Sequence, residues 1–120
     1  MRPAEFYAAQ IRLGVTLPII AEILGVTRRR VSRYFERDRH LDVPEHIAGT
    51  MSYLESTHDI AVAQIVDHYA DGDAVPLTFD PAWWRAHAPA EVAGWGKRAQ
   101  TLIIADAAAQ LRKPIEWGAF

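Results

Sequence analysis

The sequence predicts a mostly α-helical protein in two parts, a helix-turn-helix bundle over residues 1–57 and a small helical C-terminal domain over residues 58–120. Two short β-strands are candidates in the second part. Three observations lead to this reading. Gly14 and Gly25 divide the N-terminal region into three short runs with helical apolar spacing. The charge is split, since residues 1–39 hold eight arginines against four acids while residues 40–120 hold five basic residues against eleven acids. All four tryptophans fall between Trp83 and Trp117. At 120 residues, half of them apolar and 23% charged, the chain has the balance of a globular domain with a real core.

The elements follow in order. Phe6, Ile11 and Leu13 give a first helix an apolar face, and Gly14 ends it. Thr16 is placed to cap a second helix over Leu17–Leu24, with Pro18 tolerated in its first turn. Gly25 supplies the bend, because glycine takes positive φ at little cost. Thr27 caps a third helix running from Arg28 to about Arg37. Two helices separated only by Gly25, Val26 and Thr27 have helix-turn-helix connectivity. Ala21 is the small residue where they cross, and Val26, Val31 and Tyr34 are the expected buried positions.

Six arginines lie between Arg28 and Arg39, a concentration that points to a polyanionic partner. On a helix of about 100° per residue, Val31 and Tyr34 share one face, Arg29, Ser32 and Arg33 point the opposite way, and Arg30 lies at the edge. The arginine fork can donate two hydrogen bonds to guanine O6 and N7. Arg28, Arg29, Ser32 and Arg33 are therefore the expected base-contacting set on double-stranded DNA. Thr27, Arg30, Arg37 and Arg39 are the expected phosphate contacts, which add affinity more than sequence information.

Through "IIAEILGVTRRRVSRYFER" the chain resembles the phage-repressor-like helix-turn-helix family. It departs at Leu17, where that family often carries Gln, and after Tyr34, where Phe35 precedes Glu36.

Beyond Arg39, Asp42 and Pro44 read as a helix start, with Ile47, Met51 and Leu54 on one face. A break is expected around Ser56–Asp59, followed by a second amphipathic helix bearing Val62, Ile65, Val66 and Tyr69. Asp71-Gly72-Asp73 is a turn, without the remaining ligands of a calcium loop. Leu77-Thr78-Phe79 is a candidate strand, and Ile115-Glu116-Trp117 is its candidate partner. Asp80-Pro81 starts a helix carrying Trp83 and Trp84. Pro89 starts the last and longest helix, expected to run to about Arg112 and stop before Pro114.

That last helix is apolar nearly all round, and such a helix must be buried. A tail of this size is expected to be too small to bury it, which makes the tail a dimerisation domain with Trp95, Ala99, Leu102 and Ile103 as the expected interface. A homodimer would present two heads to an inverted-repeat operator. With its "DPAWW" and "VAGWGKRAQTLIIADAAAQL" segments, the chain resembles the YdiL-like small transcriptional regulators, a group that includes anti-CRISPR-associated autorepressors of phages and mobile elements. The resemblance implies a dimeric repressor binding an inverted repeat in its own promoter.

Cysteine is absent, which excludes disulfide scaffolds and thiol chemistry. No apolar run reaches the roughly 18–20 residues of a membrane span, and the N-terminus lacks a signal-peptide pattern. The expected location is the cytoplasm of a bacterium or the host of a phage. Nucleophile-elbow, phosphate-loop and zinc-protease motifs are all missing, so no enzyme, cofactor or metal is expected. His40, His46, His58, His68 and His87 show no ligand spacing that stands out. Two other readings stay open: a protein-interaction module, antitoxin-like or adaptor, with a Trp-rich partner-binding half, and a small-molecule pocket in that half. RNA stays open as an alternative polyanion.

Overall fold

Local start and stop signals shape the first elements. In the computed structural model, which describes residues 1–36 and 42–118, α1 spans Pro3–Leu13 with Pro3 in its first turn. The Glu5 carboxylate accepts a hydrogen bond from the Arg2 backbone N–H at 3.0 Å. Gly14 ends α1, and α2 spans Leu17–Leu24 at a bend of 111° to it. Thr16 stands at the N-cap as expected, yet its hydroxyl makes no capping bond, leaving the Pro in the first turn as the local start signal. The bend is pinned from inside by buried Gln10, whose Nε2 donates to the Val15 carbonyl at 3.0 Å. The third helix, α3, spans Arg28–Arg33.

The chain divides into two units, Met1–Glu55 and Ser56–Phe120. The first has a core of Phe6, Leu13, Ile20, Val31, Ile47 and Met51, all buried. Ile11, expected in that core, is 55% exposed, because Phe6, Ala9, Gln10 and Leu13 form the inward face of α1. Phe6 meets Tyr34 edge-on at 5.4 Å and Phe35 at 5.3 Å, which fastens the exit of α3 onto α1.

The division between the units falls inside α4, Glu45–His68, the longest helix. The break expected around Ser56–Asp59 is not there. These residues are weak helix formers, but none is Gly or Pro, and burial decides the matter. Thr57 and His58 are buried, and His58 Nε2 lies 2.8 Å from the Asp106 carboxylate. The other ring nitrogen, Nδ1, is buried without a partner.

The second unit is mostly helical with a two-stranded parallel sheet. β1 is Val75–Leu77 and β2 is Ile115–Trp117, paired Val75↔Ile115, Pro76↔Glu116 and Leu77↔Trp117. The partner is as expected, but β1 begins two residues earlier than the candidate 77–79. Thr78 and Asp80 are taken up by the next turn: the Thr78 carbonyl accepts from Trp84 Nε1 at 2.8 Å, and its hydroxyl accepts from the Asp80 N–H at 3.2 Å. Asp80 caps α5, Pro81–His87, by accepting from the Ala82 N–H at 3.0 Å.

The single helix expected from Pro89 to about Arg112 is instead two pieces, a 3₁₀ turn over Ala90–Gly94 and α6 over Lys97–Leu111. Gly96 stands between them at φ 93° and ψ 166°, a backbone setting that L side chains rarely adopt. Buried Gln100 closes the corner by donating from Nε2 to the carbonyls of Val92 and Ala93. The unit buries Trp84, Val92, Trp95, Ile103, Ile104 and Ala107. Among the described residues, no single helix is long and apolar enough to cross a membrane.

Candidate functional site

The α2–turn–α3 segment is built almost wholly from local rules. Gly25 takes φ 68° at the end of α2, and its N–H and that of Val26 bond back to the carbonyls of Glu22 and Ala21, each at 3.1 Å. Thr27 then starts α3, its hydroxyl accepting from the Arg30 N–H at 3.1 Å. Val31 and Tyr34 anchor the helix, at 0% and 4% exposure. Ala21 is buried beneath the turn, and Val26 is half-buried.

Six side chains expected to contact nucleic acid, Thr27, Arg28, Arg29, Arg30, Ser32 and Arg33, are exposed. Thr27, Arg29, Arg30 and Arg33 line one open concavity of about 640 Å³ together with Ala21, Glu22, Gly25 and Val26. Arg28 and Ser32 do not line it. Among the described residues, no carboxylate pairs with Arg28, Arg29, Arg30 or Arg33; the ion pairs are Arg12–Glu55 and His58–Asp106. Glu22 is the one acid on the lining, contributed by α2. Its position gives it a share in the electrostatics that motif spacing alone does not assign.

The third helix is shorter than expected, ending at Arg33 instead of near Arg37. Its exit tightens into i→i−3 bonds, Tyr34 N–H to the Val31 carbonyl at 2.9 Å and Phe35 N–H to the Ser32 carbonyl at 3.2 Å. Phe35 turns inward to pack on Phe6 and Tyr7, at 5.3 and 5.4 Å. Arg37 and Arg39, the other two expected phosphate contacts, lie outside the described residues.

The residues expected at a dimer interface are placed differently. Trp95, Ala99 and Ile103 are at 3%, 0% and 0% exposure within a single chain, and Leu102 is half-buried. The expectation that the tail cannot bury its own last helix therefore fails. Once Gly96 divides that helix, α6 is only 15 residues long, and small Ala99, Ala107 and Ala108 let neighbouring elements approach closely. Trp95, Ala99 and Ile103 are core.

Among the described residues, no group of three or more His, Cys, Asp or Glu side chains comes together to hold a metal ion. Asp71 and Asp73 sit in an exposed turn. No family model, curated protein or solved structure matches the chain.

Proposed function

We propose that this chain is a sequence-specific double-stranded DNA-binding regulator, a repressor of its own promoter, that reads bases with α3. The observation that carries the proposal is the arginine cluster itself. Arg28, Arg29, Arg30 and Arg33 are exposed on a six-residue helix, with no carboxylate partner among the described residues. Their helix is held from behind by Val31 and Tyr34 and capped by Thr27. Concentrated cations with no ion-pair partner among the described residues suit a polyanion, whose bound counterions they would release.

Within this reading Arg29 and Arg33, one helical turn apart and facing the same concavity, donate to guanine edges in the major groove. Ser32 and Arg28 flank them. Thr27 and Arg30 hold the phosphate backbone, and Glu22 disfavours a phosphate at its end of the cleft. Resemblance to the phage-repressor-like and YdiL-like regulators agrees with this assignment. A homodimer on an inverted repeat belongs to the same proposal, but its interface lies elsewhere than Trp95, Ala99 and Ile103. Light scattering giving the mass of one chain, both free and on DNA, would remove the dimer.

The deciding experiment is a mobility-shift titration of the full chain against the DNA upstream of its gene, with an unrelated duplex and a single-stranded RNA as competitors. Tight retention of the upstream duplex alone supports the proposal. Equal binding to all three leaves only a generic basic surface, and preference for RNA replaces DNA as the target.

One observation favours a second reading, a protein-interaction module. All three residues of β2 are exposed, Ile115 at 44% and Trp117 at 71%, a large apolar pair at the surface of the second unit. Should Ile115→Ser/Trp117→Ser abolish the biological effect while DNA binding survives, that unit acts through a protein partner.

A further inference from the structure

His68 and His87 are each the last residue of a helix, α4 and α5, and the fold of the second unit brings their rings to a centroid separation of 4.5 Å at 81°. No spacing in the sequence marks them as a pair. Their surroundings differ in a way that matters for ligand chemistry.

His87 is held from several sides. Its Nδ1 lies 2.8 Å from the Trp83 carbonyl oxygen. A carbonyl can only accept, so Nδ1 carries a proton, and in the neutral ring the Nε2 lone pair is then the one available to a ligand. The ring also stacks on Trp83 at 4.4 Å and 19°, and Trp83 is fixed in turn by Nε1 donating to the Tyr69 hydroxyl at 3.2 Å. A backbone carbonyl on one imidazole nitrogen, setting the tautomer and aiming the other, is the usual support of a metal-ligating histidine. His68 is exposed and, among the described residues, held by ring contacts to His87 and to Tyr69 at 4.9 Å, which leaves it able to turn toward a shared ligand.

The two rings border a cleft of about 260 Å³ lined by Gln64, His68, Ala86, His87 and Ala88. Gln64 lies one turn before His68 on α4 and offers an amide oxygen. The lining holds no carboxylate and no thiolate. Two neutral imidazoles and an amide oxygen do not suit Ca²⁺ or Mg²⁺, which take oxygen-rich and mostly anionic sets, but they suit borderline ions such as Cu²⁺, Ni²⁺ and Zn²⁺. We propose that His68 and His87 form an open two-imidazole site for a divalent transition-metal ion, with Gln64 and solvent completing the coordination. No third His, Cys, Asp or Glu joins them among the described residues, which makes it an exchangeable site and not a closed structural one.

The test uses the full chain and the metal ion alone. Cu²⁺, Zn²⁺ and Mg²⁺ are titrated separately by calorimetry at neutral pH. One equivalent of Cu²⁺ and of Zn²⁺ should bind, with Mg²⁺ silent. His68→Ala should weaken binding by at least about tenfold, as should His87→Phe, which keeps a ring to stack on Trp83 but cannot ligate. His46→Ala, an exposed histidine on the first turn of α4, should change nothing. Nitrogen-15 spectra of the histidines should show Zn²⁺ shifting Nε2 of His87 and leaving its Nδ1 protonated. Circular dichroism of His68→Ala, an exposed position, should match the wild type and exclude unfolding as the cause. The proposal is overturned if the wild type binds neither Cu²⁺ nor Zn²⁺ at millimolar concentration. It is equally overturned if His68→Ala/His87→Phe binds them as well as the wild type, or if Mg²⁺ competes at equal concentration.

Discussion

Met1–Glu55 and Ser56–Phe120 use their polar residues in opposite ways. The described part of the first unit buries one polar side chain, Gln10, and leaves the arginines of α3 in solvent without carboxylate partners. The second buries Thr57, His58, Thr78 and Gln100 and ties its turns together through them. The Arg12–Glu55 and His58–Asp106 contacts follow the same division. Arg12–Glu55 is a surface pair with the arginine 62% exposed, whereas His58–Asp106 has its histidine side chain at 7%. A basic surface can be carried on a generic apolar core, because the groups that would act sit outside it. A corner such as Val92–Gln100 needs polar groups inside, since its backbone carbonyls are withdrawn from water and must find donors.

The sharpest way to break this comparison is through the two aromatic anchors. Trp84→Ala should cost the second unit about 3–5 kcal/mol, because it empties a fully buried ring site and removes the donor to the Thr78 carbonyl. Tyr34→Ala should cost the first unit on the order of 3 kcal/mol by opening its contact with Phe6. Urea unfolding followed by circular dichroism measures both. A Tyr34→Ala protein as stable as wild type would mean that Tyr34 belongs to the outward surface of α3.

Removing the solvent-exposed partner of the part-buried His58–Asp106 contact comes next. Asp106→Ala leaves His58 with both ring nitrogens unpaired and should destabilise by about 1–3 kcal/mol in the same assay. An unchanged midpoint would show that the pair contributes nothing and that the contrast between the units is superficial. Arg29→Ala and Arg33→Ala should each lose about 1–3 kcal/mol of affinity for the upstream DNA, measured by fluorescence anisotropy. Their unfolding free energy should stay within about 0.5 kcal/mol of wild type, since both are exposed. Arg30→Ala should instead weaken all duplexes alike and flatten the salt dependence by about one unit of slope.

Two smaller effects complete the series. Gly96→Ala should cost about 1–2 kcal/mol, the penalty of placing a Cβ at φ 93° and ψ 166°, a region that essentially only glycine occupies. Arg12→Ala should change stability by no more than about 0.5 kcal/mol, and less in high salt, because both partners reach solvent.

The ends of α1 and α2 and the start of α3 are readable in the sequence because those limits are set by near neighbours. Gly14 and Gly25 end α1 and α2, Thr27 begins α3, and Asp80 begins α5. The errors lie where a distant residue decides. Ser56–Asp59 stays helical through a contact with Asp106, and the exit of α3 is drawn in by Phe6 and Tyr7. Gly96 reads as tolerable inside a helix, and only Gln100 reaching back to Val92 and Ala93 shows why the chain turns there. The candidate site divides the same way. Its arginines are legible in the sequence as a cluster on a helix, while Glu22 is not, because it enters the cleft from the preceding helix. His68 and His87 meet only through the packing of α4 and α5, which no local pattern announces.

Under the proposed function, the brevity of α3 limits how much sequence one copy can read. Six residues at about 1.5 Å each give a helix about 9 Å long. With successive bases about 3.4 Å apart, such a helix lying along the groove addresses about three base pairs. A word of that length recurs roughly once every sixty or so positions, against the on the order of 10⁶–10⁹ competing sites that a genome offers. If α3 reads bases as proposed, one head reads a syllable, and an address requires several. They have to come from a second head held at fixed spacing, from the deformability of the intervening DNA, or from both. Half-site spacing, varied one base pair at a time, would show where the rest of the word is kept.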